Sequence, residues 1–80
     1  MIEFTTHAKI MLQERGIPLE WIERTIEKPH SKETNEDGTI HYLMPIPEHG
    51  GRILRVIVNP QKGPFMVVTM FFDRRLGRQL

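Results

Sequence analysis

The chain has 80 residues, no cysteine and a formal net charge of +1. That length suits one domain near the lower limit at which a single core sustains itself, so a homodimer or a protein partner is a natural source of extra stability. The missing cysteines exclude a disulfide framework and a thiolate metal site, and no apolar run approaches bilayer length; the expectation is a soluble cytoplasmic protein with no membrane contact.

The chain opens on Ile2-Glu3-Phe4, a short extended lead-in. Thr5 or Thr6 then precedes an apolar-periodic run and can cap a helix by accepting a free backbone N–H of its first turn. Arg15-Gly16 reads as the stop, because glycine takes the left-handed conformation after a helix and a cation suits the negative end of the dipole. A helix over about residues 5–15 places Phe4, Ala8, Met11, Leu12 and Arg15 on one side, with His7 at its edge, on a ridge that runs through Met11 to Arg15. The plain alternative for His7 is a half-buried helix residue without a chemical role.

Pro18 fits the first turn of a second helix over about 18–28, in which Leu19, Ile22 and Ile26 recur at helical spacing and Glu20 and Arg24 form an i, i+4 pair. Pro29 stops it, since the residue before a proline is pushed out of the helical region. Trp21 points away from that stripe, toward a sheet edge or an interface.

From Ser31 the period changes from helix to strand. Residues 31–35 read as a weak edge strand closed by Asp37-Gly38, a dipeptide that favours tight hairpin turns. Residues 39–44 make a better strand, with Ile40, Tyr42 and Met44 on one face and His41 and Leu43 on the other. Pro45 and Pro47 are expected to end it or to place its end at a sheet edge, because they lack ladder donors. Residues 52–58 form a strong strand whose Leu54, Val56 and Val58 should be core, leaving Ile53, Arg55 and Ile57 outward as a half-apolar, cationic floor. Residues 65–72 are nearly all apolar and suit a central strand or one under a dimer contact. The remainder, 73–80, reads as a mobile basic tail. Two helices followed by three or four antiparallel strands define an α+β fold, a helical hairpin packed on a sheet, as a single domain over 1–80.

Charge divides along the same line. Residues 1–51 carry five Lys/Arg against nine Asp/Glu, or −4, while residues 52–80 carry six against one, or +5. Arg52, Arg55, Arg74, Arg75 and Arg78 dominate the basic half, and arginine grips phosphate bidentately where lysine does not. A nucleic-acid footprint and a solvated edge with a basic tail both fit that pattern.

The run Phe4-Thr-x-His7-Ala8, Glu14-Arg15-Gly16-Ile17, Pro29, Tyr42, Arg52-x-Leu-Arg55-Val56 and Val68-Thr69 resembles the bacterial and phage family catalogued as domain of unknown function 4258, over roughly residues 4–72. That family is thought to be similar to the RelE/ParE-like toxins of the barnase–EndoU–colicin–RelE group. The resemblance implies a toxin-like RNA-binding protein, a bacterial toxin–antitoxin setting and an antitoxin partner. Relatives commonly carry an arginine one turn after the histidine, where this chain has Met11.

Metal-free RNA cleavage needs a base for the 2′-hydroxyl, an acid for the departing 5′-oxygen and cations for the phosphorane-like transition state. His7 is the expected base or acid, Arg15 and Arg55 the phosphate ligands, Tyr42 a stacking or proton-donating group, and Thr69 a positioning residue. Arg52, Arg55, Arg74 and Arg75 are the expected nucleic-acid contacts. His7, His30, His41 and His49 have no recognisable zinc spacing, and no nucleophile elbow or phosphate-binding glycine loop occurs, so neither metal nor cofactor is expected. The two readings are a metal-independent endoribonuclease and a non-catalytic RNA- or protein-binding module on the same scaffold.

Overall fold

The Thr5 hydroxyl accepts the Ala8 backbone N–H at 3.1 Å and so starts α1, Thr6–Glu14. Arg15 caps its far end and Gly16, at φ 61°, turns the chain in the left-handed region, where a side chain would be strained. Pro18 is the N-cap of α2, Leu19–Glu27, rather than part of its first turn: its ψ of 138° is extended and no side chain caps the helix. A computed structural model describes these and the other residues from 2 to 76; Arg78 and the end of the expected tail lie outside the described residues.

Five strands follow the order β1 (Glu3–Phe4), β2 (Ser31–Thr34), β3 (Ile40–Ile46), β4 (Arg52–Val58) and β5 (Met66–Phe72), with 3-10 turns at Pro47–His49 and Arg74–Leu76. They form one mixed sheet, β1-β5-β4-β3-β2, in which only β1 runs parallel to its neighbour. The fold is α+β, with one strand more than expected. The lead-in is the added strand: Glu3 and Thr5 donate their N–H groups to the carbonyls of Phe65 and Val67, each at 3.0 Å. A two-residue strand has no periodicity to betray it in sequence.

Both helices pack on one face of the sheet, α1 on β5 and α2 on β3 and β4. Ala8, Ile22, Leu54, Val56, Val58, Val67 and Met70 are fully buried between the layers. In α2 the buried stripe is Ile22, Thr25 and Ile26, whereas the expected Leu19 is 48% exposed. Thr25 is accommodated because its hydroxyl donates to the Trp21 carbonyl at 2.7 Å. The expected Glu20–Arg24 pair gives way to a bidentate Arg24–Glu48 contact at 2.9 and 2.8 Å, which ties α2 to the turn after β3. Trp21 meets His49 and Phe72, at centroid distances of 5.9 and 6.1 Å, so it serves an intramolecular contact.

Of the two expectations for Pro45, the edge placement holds: the residue lies inside β3, opposite Ile53, rather than ending it. β2 stops opposite Leu43, so at Pro45 the outer edge of β3 has no neighbour and the missing N–H leaves no ladder bond unmade. Between β4 and β5 the register shifts at Ile57/Val58 and passes over Val68, a bulge. The segment after β5 is not a loose tail through residue 76. Asp73 extends the ladder by donating its N–H to the Ile53 carbonyl at 2.8 Å, and Arg74–Leu76 turns back over that side of the sheet.

Candidate functional site

Strand parity decides which side chains can act together. On the face away from the helices, Glu33 lies opposite His41, His41 opposite Ile57, Leu43 and Phe71 on either side of Arg55, and Thr69 opposite Ile57. Tyr42 has the other parity, and so do Leu54, Val56 and the half-buried Arg52. The expected open floor of Ile53, Arg55 and Ile57 is only partly open. Ile53 and Arg55 are buried, beneath the returning C-terminal turn and within an ion cluster, and Ile57 is half-buried.

A buried guanidinium must be matched by acceptors, because removing a charge from water is costly. Arg55 is matched on two sides. Its Nε donates to Asp73 Oδ2 at 2.9 Å, and its Nη1 donates to His41 Nδ1 at 2.8 Å and to Glu33 Oε1 at 3.3 Å. Asp73 also accepts from Arg75, through the backbone N–H at 3.0 Å and the side chain at 3.2 and 3.1 Å. The second imidazole nitrogen, Nε2, lies 2.7 Å from Asn35 Nδ2. An imidazole that accepts at Nδ1 must carry its proton on Nε2, so the consistent arrangement turns the Asn35 amide to offer its oxygen.

The electrostatics follow from these contacts. Desolvation, then the Arg55 charge, lowers the His41 pKa below its ordinary value, against the pull of Glu33 and Asp37. His41 is therefore a neutral imidazole near physiological pH. The Arg75 side chain, with help from its backbone N–H and from Arg55, holds the Asp73 carboxyl down at about 2. The site thus joins a neutral imidazole, two carboxylates and two guanidiniums over strands β2 to β5 and the turn that follows. Among the described residues no cluster of three His, Asp or Glu side chains is arranged to hold a metal ion, and no helix is long and apolar enough to cross a membrane.

The residues singled out from sequence divide between the two sides of the molecule. Arg55 and Thr69 share the uncovered face, and Arg75 reaches it through Asp73. His7 is exposed on α1 and makes no side-chain hydrogen bond within the described residues. Arg15 is turned toward β5, where its Nη1 donates to the Met70 carbonyl. Tyr42 is buried under the helices with Lys32 Nζ 5.6 Å from its ring centroid. Arg74 is exposed on the C-terminal turn. His7, Arg15 and Tyr42 therefore do not converge with Arg55 and Thr69. Glu33, His41, Asn35 and Asp73 went unrecognised in sequence. The parity of β3, which separates His41 from Tyr42, and that of β4, which separates Arg55 from the core, were the signals that place His41 beside Arg55.

Neither curated proteins nor solved structures yield a match to this chain. The sequence model of the family described as "Domain of unknown function (DUF4258)" matches residues 4–72, which takes in both helices and the sheet from Phe4 to the end of β5. With most of its length covered by that match, the chain belongs to the DUF4258 family.

Proposed function

We propose that the protein binds single-stranded RNA over the uncovered sheet face and cleaves it without a metal ion, with His41 as base and Arg55 as cation. The observation that carries this reading is the single hydrogen-bonded network joining Glu33, His41 and Arg55 from three adjacent strands. A neutral imidazole can take the 2′-hydroxyl proton, after which the 2′-oxygen attacks phosphorus and the 5′-oxygen departs, protonated by water. Glu33, whose charge favours protonated His41, stabilises the imidazolium that forms. Arg55 offsets the charge that builds on the phosphorane-like transition state. In the resting arrangement Arg55 caps His41 Nδ1, so a phosphate that draws the guanidinium aside also frees the base. The toxin-like role, an antitoxin partner and a bacterial setting belong to the same proposal and rest on the likeness ascribed to the family with RelE/ParE-like toxins, while a second copy as partner rests on the small size of the chain and a cytoplasmic setting on its cysteine-free composition.

A second reading, binding without cleavage, is favoured by Arg55 being engaged by two carboxylates and by Met11 standing at the usual arginine position of the resembled family. Cleavage of a labelled RNA pool in EDTA decides between them. Wild type should leave 2′,3′-cyclic phosphate ends, His41→Gln should lose about 10²–10⁴-fold in rate with an unchanged melt at neutral pH, and His7→Gln should cut normally. Full activity in folded His41→Gln would refute the assignment, and RNA bound yet uncut by wild type would establish the second reading.

A further inference from the structure

Asp73 is surrounded in a way that a simple structural ion pair does not require. Its Oδ2 accepts from Arg55 Nε at 2.9 Å and Arg75 Nη2 at 3.1 Å, and its Oδ1 from Arg75 Nε at 3.2 Å and the Arg75 backbone N–H at 3.0 Å. Two guanidiniums and an amide thus converge on one carboxylate whose side chain is 2% exposed. Guanidinium forks grip phosphate and carboxylate oxygens with the same donor geometry.

We propose that the Asp73 carboxylate is the resident occupant of a phosphate subsite, and that Arg55 and Arg75 hold one backbone phosphate of single-stranded RNA when the Asp73 side chain swings out. This inference rests on the RNA-binding reading given under Proposed function. Three features make the exchange local. The Asp73 backbone is fixed in the ladder by its 2.8 Å bond to Ile53, so only the side chain needs to rotate. The outer wall is the Arg75 side chain, 81% exposed, which moves without disturbing the core. Arg55 keeps Glu33 when Asp73 leaves, so its guanidinium stays anchored there even as the phosphate draws it off His41 Nδ1.

Charge gives the occupancy a consequence. With His41 neutral, Asp73 and Glu33 balance Arg55 and Arg75, and an incoming phosphate finds no net attraction at the cluster. The carboxylate is an internal competitor that holds down RNA affinity in the resting chain. Removing its charge at constant volume should convert the cluster into an open cationic site.

The test compares wild type with Asp73→Asn for binding of a labelled short oligouridylate across a salt series, with thermal melts run alongside. Asp73→Asn should bind roughly tenfold more tightly, the worth of one charge-assisted contact. Its log–log salt slope should steepen by about 0.7, one added phosphate on a single strand. Adding Arg75→Ala to Asp73→Asn should remove both gains. Because Asp73→Asn can weaken the fold, wild type is also titrated with inorganic phosphate and with oligouridylate while the arginine Nε–H resonances are followed by NMR; those of Arg55 and Arg75 should move together. Wild type that binds RNA, beside a folded Asp73→Asn of equal affinity and slope, would make Asp73 an anchor of the turn and end this proposal alone. Arg55 and Arg75 resonances that stay still while RNA binds would end it equally. Absence of RNA binding by both proteins at low salt would remove the functional reading, and the subsite with it.

Discussion

His41 couples the charge state of one ring to the stability of the chain. Its pKa is lowered in the fold by desolvation and by Arg55, whereas the unfolded imidazole titrates near its ordinary value of about 6.5. Below that value the unfolded chain binds a proton that the folded chain refuses. The stabilisation is therefore complete above about pH 6.5 and declines as pH falls toward the lowered folded value. Thermal melts from neutral pH down to about 5 should show a falling midpoint for wild type and a flatter one for His41→Gln, which keeps hydrogen-bonding capacity without titrating; parallel curves would remove His41 as the cause. Asp73 and Glu48 act in a separate window. Each is pulled down to about 2 by arginine contacts, Asp73 by Arg75 and Arg55 and Glu48 by Arg24; the Asp73 contribution is present above about pH 4 and is lost as pH falls through about 2, while that of Glu48, whose pair is exposed and screened, is slight.

At the scale of the elements, β4 has two buried faces of different chemistry. Leu54, Val56 and Val58 face the helices and are fully buried, while Ile53 and Arg55 face the C-terminal turn and the ion cluster. Leu54→Ala should cost about 2–5 kcal/mol through lost transfer energy and the residual cavity. Ile57→Ala, at a half-buried position on the far face, should cost less. Urea melts of both variants check the order, and the reverse order would mean the two faces are exchanged. The helix starts differ in the same measurable way. α1 has a side-chain cap at Thr5 and α2 has none at Pro18, so Thr5→Ala should cost about 1 kcal/mol, a loss confined to α1 and readable by amide hydrogen exchange there.

For the whole molecule, the helix layer is joined to the far end of the sheet through Trp21, Arg24 and the turn at Pro47–His49. Arg24–Glu48 lies at the surface, where water and salt screen the pair, so Arg24→Ala should barely move the urea midpoint. Trp21 is half-buried and meets both Phe72 and His49, which themselves stack at 4.3 Å. Trp21→Ala should therefore cost about 1–3 kcal/mol, less than a full core truncation. In a domain whose total stability is on the order of 5–15 kcal/mol that loss is visible by calorimetry, and a Trp21→Ala midpoint equal to that of Arg24→Ala would show the aromatic contact to be idle.

Much of the architecture was determined by local chemistry that the sequence carries on its own. Thr5 and Gly16 bound the first helix, Pro29 follows the second, Asp37-Gly38 closes the hairpin, and the alternation of Leu54, Val56 and Val58 marks the core face, because capping, glycine conformations and strand parity act within a few residues. The tertiary structure decided what depends on partners distant in the chain. Only the pairing of Glu3–Phe4 with β5 makes a strand of the lead-in, and only the end of β2 opposite Leu43 lets Pro45 remain in β3. The candidate site is of that second kind. His7 and Tyr42 carry suitable chemistry, yet one stands exposed on α1 and the other is buried beneath the helices, while Glu33, His41, Arg55 and Asp73 meet through strand register and through a C-terminal turn folded back over the sheet. Register is a long-range property, set by which strands pair and how they are shifted, so residue type and spacing alone could not bring those side chains together.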